Sequence, residues 1–147
     1  MTRVELAPVT EENIGAVLTL VLAPGQEKWV ANNERSLAQA YAYRWLRPAA
    51  IVAGGTVVGF LMHGLKPETG QHSLFRIMVD ERHQGNGYAT EAIRVLVAQL
   101  REEGGTDALF LSYVPGNEEA VRVYERLGFV HTGESDEDGE RIMRLPL

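Results

Sequence analysis

Three residues, Arg82, Gly85 and Gly87, have the types and spacing that suit binding of a phosphate group. They stand between an apolar run at residues 74–79 and a segment from Tyr88 with helical periodicity. Glycine permits a tight turn close to an anion, and the first turn of a helix carries N–H groups without partners. Arg82 adds a forked donor for phosphate oxygens. Since two glycines also occur in ordinary strand-to-helix turns, the interpretation needs a second, independent motif.

The second motif consists of Asn117, Ala120 and Tyr124, followed by Gly128 and Phe129. Spacing of three and then four residues places the first three on one stripe of a helix. A stripe that faces a protein core normally carries large aliphatic side chains. An amide, a small residue and a phenol instead suit a wall that touches a ligand. The alternative for Tyr124 alone is a packed aromatic ring with a satisfied hydroxyl.

A sheet with flanking helices must position both motifs. Residues 74–79 are mostly apolar, as expected of a strand covered on both faces, and Ala108–Tyr113 forms a later strand. The long helix from Tyr88 connects them, so this β-α-β unit predicts that the two strands run parallel. Two apolar runs before residue 74 are separated by Gly54 and Gly55, which favours a hairpin and an antiparallel meander.

The remaining elements complete one mixed sheet. A short first strand covers residues 4–6 and is ended by Pro8, and two helices follow it, capped by Thr10 and Asn33. The predicted inner faces of these helices are Ile14, Val17, Leu18 and Val21, then Leu37, Ala40, Tyr41 and Trp45, with Pro48 closing the segment. A helix over Glu118–Leu127 and two strands around an acidic turn end the chain. We therefore predict a single α/β (α+β) domain over residues 1–147, with a mostly antiparallel sheet of about six to seven strands and about four helices.

Composition restricts the function. The chain of 147 residues has a net charge of −6, which opposes nucleic acid and favours cationic partners. It has no cysteine, so a thiolate nucleophile and a zinc–cysteine site are excluded, and no metal site is predicted. Neither a membrane span nor a signal peptide is predicted, and a cytoplasmic location is the default expectation.

Together the two motifs resemble those of the GNAT superfamily of acetyl-CoA-dependent N-acetyltransferases, and so do the order and types of the elements. Residues 82–87 resemble its pyrophosphate loop, and residues 117–129 resemble its later cofactor-binding helix. The resemblance implies a central strand that splays from its parallel neighbour, with the pantetheine arm in the gap. It implies the following acetyl-CoA-binding residues: Ile77, Met78, Val79, Arg82, His83, Gln84, Gly85, Asn86, Gly87, Tyr88, Asn117, Ala120 and Tyr124. It also admits a homodimer, although the sequence identifies no interface.

The resemblance implies that an amine attacks the thioester directly, with Tyr124 as the general acid that gives a proton to the leaving thiolate. Many members place an acidic residue in the central strand as a base, but here Phe75 and Arg76 stand in that strand. His72 is an alternative base, and Glu27, Glu34 or the carboxylates of the last hairpin could serve through water. By strict alternation, however, His72 faces away from Phe75 and Ile77, which favours a surface histidine. The sequence does not assign the base.

The closest resemblance within the superfamily is to bacterial spermine/spermidine acetyltransferases, carried by residues 10–13, 58–65, 78–82 and 133–140. It implies a small cationic amine as acceptor. The predicted acceptor-binding residues, which are acidic or aromatic, are Glu27, Trp29, Glu34, Tyr41, Glu134 and Asp136. Residues 136–139 equally suit a solvated turn, and Trp29 equally suits the core. Two alternatives stay open: acetylation of a protein N-terminus, an aminoglycoside or another small amine, and a non-catalytic acyl-CoA sensor.

Overall fold

The computed structural model describes residues 3–147 and contains seven strands and four α-helices. The strands are β1 Val4–Pro8, β2 Leu46–Ala53, β3 Thr56–Leu65, β4 His72–Val79, β5 Ala108–Tyr113, β6 Val130–Ser135 and β7 Arg141–Pro146. The helices are α1 Ile14–Leu18, α2 Asn33–Ala42, α3 Tyr88–Glu103 and α4 Glu118–Leu127. Short 3-10 turns cover Gln26–Lys28 and Glu81–His83. No helix among residues 3–147 has the length and apolar character needed to cross a membrane.

All seven strands form one sheet in the order β1-β2-β3-β4-β5-β7-β6. The pair β4–β5 is parallel and the other five pairs are antiparallel. The right-handed β-α-β connection rule requires α3 to cross one face of the sheet between these two strands. The predicted mixed, mostly antiparallel sheet with a central β-α-β unit is confirmed.

The sheet is covered on both faces by apolar side chains. On one face Ile93, Leu96 and Leu100 of α3 pack with Leu61 of β3 and Leu109 of β5, all of them 0–1% exposed. A second cluster on the other face joins Val17, Phe60, Met62 and Met78 to the segment before β2. Full burial of each such side chain contributes about 1.5–3 kcal/mol. The central strand β4 is therefore held from both sides, as its apolar sequence predicts.

The hairpin between β2 and β3 turns at Gly54 and Gly55, which have φ angles of 56° and 81°. Both angles lie in the left-handed region, where glycine has no steric penalty, so the predicted two-residue turn is confirmed. Pro48, however, lies within β2 opposite Met62 instead of ending the segment before it. Its ring replaces an N–H donor near the start of the strand, where the ladder tolerates the loss.

The two early helices differ from the prediction. The first begins at Ile14 with Asn13 as its N-cap and ends at Leu18, and only Val17 in it is buried. The second is capped by Asn32, whose Oδ1 accepts the Arg35 N–H at 2.8 Å. Asn33 is instead buried, and its Nδ2 donates to the Val17 carbonyl at 3.0 Å. This bond ties the two helices together, so the two adjacent asparagines have different structural roles.

Candidate active site

A cleft opens where β4 and β5 separate. The two strands pair only from His72 to Leu74, opposite residues 109–111. Beyond that point β4 continues to Val79 paired with β3 alone, and β5 continues to Tyr113 paired with β7 alone. The edge of β4 that faces β5 is thus open to a ligand over residues 75–79. An open strand edge can bind an extended molecule through its main-chain groups.

A β-bulge at Phe75 changes which face the residues of β4 point to. Consecutive residues Met62 and His63 of β3 pair with Arg76 and Leu74, which leaves Phe75 as the extra residue. Leu74 and Ile77 therefore both pack in the α3-side cluster, whereas Phe75 and Met78 pack in the other. The expectation of strict alternation along β4 is wrong, because one inserted residue inverts the pattern beyond it.

His72 is buried, not on the surface as predicted. It is 5% exposed, and its Nε2 lies 2.8 Å from Nδ1 of His63. Burial lowers the pKa of both imidazoles, with a further contribution from the Arg47 cation, and that of His63 falls from 6.5 to about 3. Two histidines can be buried side by side here because both rings are neutral and one ring donates a hydrogen bond to the other. His72 does not line the cleft.

The cleft is lined by four parts of the chain. They are residues 29–31 before α2, 74–77 of β4, 111–114 at the end of β5, and a set of three side chains, Asn117, Tyr124 and Glu140. The Trp29 ring approaches within 3.5 Å of the position that a Cβ on Gly116 would occupy, so Trp29 closes one end of the cleft against the β5–α4 loop. The strand that leads to the glycine loop and the polar stripe of α4 thus meet here, whereas Arg82, Gly85 and Gly87 themselves do not line the cleft.

The glycine loop presents a row of free main-chain donors. The N–H groups of residues 84–90 donate to no acceptor within residues 3–147. Gly85 and Gly87 have φ angles of 81° and 76°, and nothing lies within 4 Å of a Cβ built on either residue. The loop leads directly into the N-terminus of α3, whose dipole adds partial positive charge. This geometry fits an anion of the size of a pyrophosphate.

Asp80 engages the Arg82 side chain. The buried Asp80 carboxylate accepts the Arg82 main-chain N–H and Nε, both at 2.9 Å, and the Val21 N–H at 2.9 Å. Because Arg82 N and His83 N both donate to Asp80, the free amides begin at Gln84. The Gln84 side chain reaches back to the Val79 carbonyl at 3.0 Å and to Gln26 Oε1 at 2.9 Å. The side chains of Asp80 and Gln84 therefore fix the loop without accepting from the amides of residues 84–90.

Tyr124 reaches the cleft from α4. Its ring packs edge-on against Phe129, with centroids 6.0 Å apart. Burial raises the pKa of its hydroxyl to about 12, and no hydrogen bond from the described residues contributes to that shift. The phenol is therefore protonated at neutral pH and has its proton available to a ligand in the cleft. Asn117, at the N-cap of α4, makes no side-chain capping bond and also faces the cleft, whereas Ala120 is half-buried beside it.

Two charged residues of the cleft were not predicted as site residues. Arg76 is half-buried, and its guanidinium donates to the Phe75 carbonyl at 3.1 Å and to Gln39 Oε1 at 3.2 Å. Glu140 immediately precedes β7 and accepts the Ser112 hydroxyl at 3.1 Å. An arginine inside an apolar strand is itself a signal, because such a position is rarely charged without a purpose. Glu140 belongs to the last hairpin, whose carboxylates the sequence offers as possible bases without distinguishing Glu140 from the others.

The predicted acceptor-binding residues are not gathered in one place. Trp29 lines the cleft, although the Lys28 ammonium already lies 4.9 Å from its ring centroid. Tyr41 is 79% exposed, so its assignment to the inner face of α2 is wrong. The Asp136 carboxylate accepts the N–H groups of residues 138 and 140 and so shapes the turn. The other three, Glu27, Glu34 and Glu134, are exposed and do not line the cleft.

Comparisons with known proteins agree with this geometry. The sequence profile of the acetyltransferase (GNAT) family matches residues 12–129. A spermine/spermidine N(1)-acetyltransferase of Bacillus subtilis (strain 168) is 32% identical over an alignment 146 residues long, and the alignment covers 95% of this chain and 96% of the relative. Both the superfamily resemblance and the closer resemblance to bacterial polyamine acetyltransferases are thereby confirmed.

Solved structures agree on the fold. An aminoglycoside acetyltransferase in complex with coenzyme A and kanamycin superposes with a TM-score of 0.81 at 20% identity, covering 98% of this chain and 95% of that one. An acetyltransferase of Salmonella typhimurium that modifies the N-terminal serine of a ribosomal protein superposes with a TM-score of 0.80 at 16% identity, covering 100% and 96%. The open β4 edge, the loop of free amides and the profile match over most of its length place this chain in the GNAT family, as an acetyl-CoA-dependent N-acetyltransferase.

Proposed function

We propose that this protein transfers the acetyl group of acetyl-CoA to a primary amine of a polyamine such as spermidine or spermine. The observation that carries the proposal is the cleft between β4 and β5, which joins an open strand edge, a protonated phenol and one carboxylate. The Bacillus relative, whose name specifies spermine and spermidine, supports the acceptor class. The net charge of −6 supports it in sign, because a polycation is attracted to an acidic protein.

The residues present fit acetyl-CoA. The free N–H groups of residues 84–88 and the N-terminus of α3 would hold its pyrophosphate, with Arg82 and His83 fixing the loop through Asp80. The open main chain of Ile77, Met78 and Val79 would bind the pantetheine arm, with Asn117 and Ala120 as its facing wall. Acetyl-CoA supplies the acetyl thioester.

Tyr124 is proposed as the general acid. A thiolate that leaves inside the cleft is poorly solvated and therefore more basic than in water, so a nearby phenol can give it a proton. The pKa of about 12 keeps this phenol protonated across the working pH range. No nucleophilic side chain is required, because the amine attacks the thioester directly. Positioning of the two substrates and the proton donor accounts for the catalysis.

Release of coenzyme A thiol tests the proposal, with spermidine, spermine, an aminoglycoside and a short peptide compared as acceptors. We expect saturable turnover with the polyamines at the lowest concentrations. The Tyr124→Phe variant should lose about 10²-fold or more in kcat while still binding coenzyme A. Tyr43→Phe, which alters an exposed ring, is the matched control.

Different failures have different meanings. Turnover with only the peptide or the aminoglycoside would keep the transferase and reject the polyamine. Coenzyme A binding without turnover of any amine would favour a sensor. Full activity of Tyr124→Phe would remove this residue from the mechanism.

A further inference from the structure

The cleft contains one carboxylate and one guanidinium that the transfer reaction has not yet used. Among the residues that line it, Glu140 is the single acidic side chain and Arg76 the single basic one. We propose that these two residues together deprotonate the acceptor: Glu140 accepts the proton of its ammonium group, and Arg76 makes that ammonium unfavourable. The inference rests on the proposed N-acetylation of an amine and supplies the base that β4 lacks.

Glu140 is held in a defined position. Its main chain is fixed by two bonds to Asp136, from Glu140 N to Asp136 Oδ1 and from Asp136 N to the Glu140 carbonyl, each 2.9 Å long. Its Oε1 accepts the Ser112 hydroxyl, whereas its Oε2 accepts no hydrogen bond from the described residues. An ordered carboxylate of a residue that lines the cleft, with one oxygen free of protein donors, is suited to accept a proton.

Arg76 is a fixed positive charge whose side-chain partners are neutral. Its hydrogen bonds go to a main-chain carbonyl and to the Gln39 amide, and no carboxylate within residues 3–147 lies within 4.0 Å of it. Guanidinium stays charged at all physiological pH values. A second cation placed beside it is disfavoured relative to its neutral form, and this effect lowers the pKa of an amine.

The other charged or titratable groups near this pair are few. Burial lowers the pKa of Arg76, the charge of Glu140 raises it, and the charge of Arg35 on α2 lowers it. Tyr113 at the end of β5 and Tyr124 on α4 line the same cleft, and burial raises the pKa of Tyr124 to about 12. Arg35, like Arg76, is a cation and disfavours a further positive charge on an amine bound nearby. Glu140 is therefore the one group of the cleft suited to receive the proton.

The protons balance as follows. The first N–H bond of the ammonium breaks, its proton passes to Glu140 Oε2, and Glu140 later releases it to solvent. The free lone pair then forms the C–N bond to the acetyl carbon as the C–S bond breaks. Tyr124 gives its proton to the leaving sulfur, and the second proton lost from nitrogen restores the phenol. The products are the N-acetyl amine, the thiol and one proton.

The inference is tested by measuring the pH dependence of kcat with the acceptor that the wild-type enzyme uses best. Coenzyme A binding and thermal unfolding first show that each variant is folded. Glu140→Gln should lower kcat by about 10²-fold at pH 7. The deficit should shrink towards pH 10, where hydroxide deprotonates the amine instead. Arg76→Gln should move the acidic limb of kcat to higher pH by about one pH unit. Arg76→Lys should keep that limb in place.

Glu68→Gln, an exposed change in the β3–β4 loop, is the control and should follow the wild type. A deficit of Glu140→Gln that is constant from pH 6 to 10 would indicate a structural role and overturn the inference, as would an unmoved acidic limb in Arg76→Gln. Wild-type enzyme without turnover of any amine would reject the proposed function itself. An active wild type with pH-independent variants would reject only the roles of Glu140 and Arg76.

Discussion

Replacing Asp80 by asparagine tests how the loop of free amides is held. The Asp80 carboxylate is fully buried and accepts three hydrogen bonds of 2.9 Å from Val21 and Arg82. Burial raises the pKa of Asp80, but the hydrogen bonds from Arg82 and Val21 outweigh it and bring the pKa from 3.8 to about 2. The difference between these two pKa values corresponds to about 2 kcal/mol of folding free energy. Asparagine removes the charge and turns an N–H₂ group towards one of the donors, so we expect the free energy of unfolding to fall by about 2–3 kcal/mol at pH 7.

The pH dependence of this loss provides a second check. Because the pKa is depressed in the folded state, the contribution of Asp80 is complete above pH 3.8 and disappears as the pH falls through about 2. Urea unfolding should therefore show a large difference in the free energy of unfolding between wild type and variant at pH 7. The difference should be smaller at the lowest pH where the protein still folds. Asp138→Asn, an exposed change in the β6–β7 turn, should alter stability by less than about 0.5 kcal/mol. A comparably small loss for Asp80→Asn would refute the reasoning.

Two further predictions concern the loop and the buried histidines. A Cβ at Gly87 meets no neighbouring atom, but alanine there must adopt a φ angle of 76°. Gly87→Ala should therefore lower the free energy of unfolding by about 1–2 kcal/mol, or shift the loop and weaken coenzyme A binding. Urea unfolding and calorimetric titration measure these two effects, and a variant equal to the wild type in both would contradict the prediction. The pKa of His63 is lowered to about 3 in the folded state, so the unfolded chain binds a proton that the folded chain does not. The free energy of unfolding should therefore be independent of this group above pH 6.5 and should fall below pH 6.5 by up to about 1.4 kcal/mol per pH unit. The double variant His63→Leu/His72→Leu should show a flatter profile, and an unchanged slope would exclude the pair as its source.

The sequence predicts the parts of the fold that depend on local patterns. Helical spacing from Tyr88 and the turn glycines at positions 54 and 55 give α3 and the β2–β3 hairpin their observed places. The register between β3 and β4 cannot be predicted in this way, because the bulge at Phe75 depends on pairing with β3 and no residue pattern of β4 indicates it. That one residue decides which face Arg76 and Ile77 point to. Strict alternation therefore fails in the strand that lines the cleft.

The same limit applies to polar residues that serve long-range contacts. Local spacing predicts a helix cap at Asn33, but its amide donates to the Val17 carbonyl of α1. His72 was expected at the surface, but it is buried with His63 of the neighbouring strand. Local spacing cannot distinguish a residue that caps its own helix from one that bonds another element. The β-strand pairing and the helix contact must be known first.

Selection of the acceptor cannot come from the fold, since similar folds occur in an aminoglycoside acetyltransferase and in an acetyltransferase of a protein N-terminal serine. It must come from the charges around the cleft. Arg76 would disfavour a second ammonium near the reacting nitrogen, whereas Glu134 on β6 and the acidic β6–β7 turn do not line the cleft. A diamine with a long methylene spacer can place its distal charge near these carboxylates and keep its reacting amine beside Glu140. For a diamine with two methylenes both charges fall near Arg76.

We therefore expect kcat/KM to rise with spacer length in a diamine series, and we expect Arg76→Gln to reduce that dependence. Equal kcat/KM across the series would mean that Arg76 takes no part in selecting the acceptor.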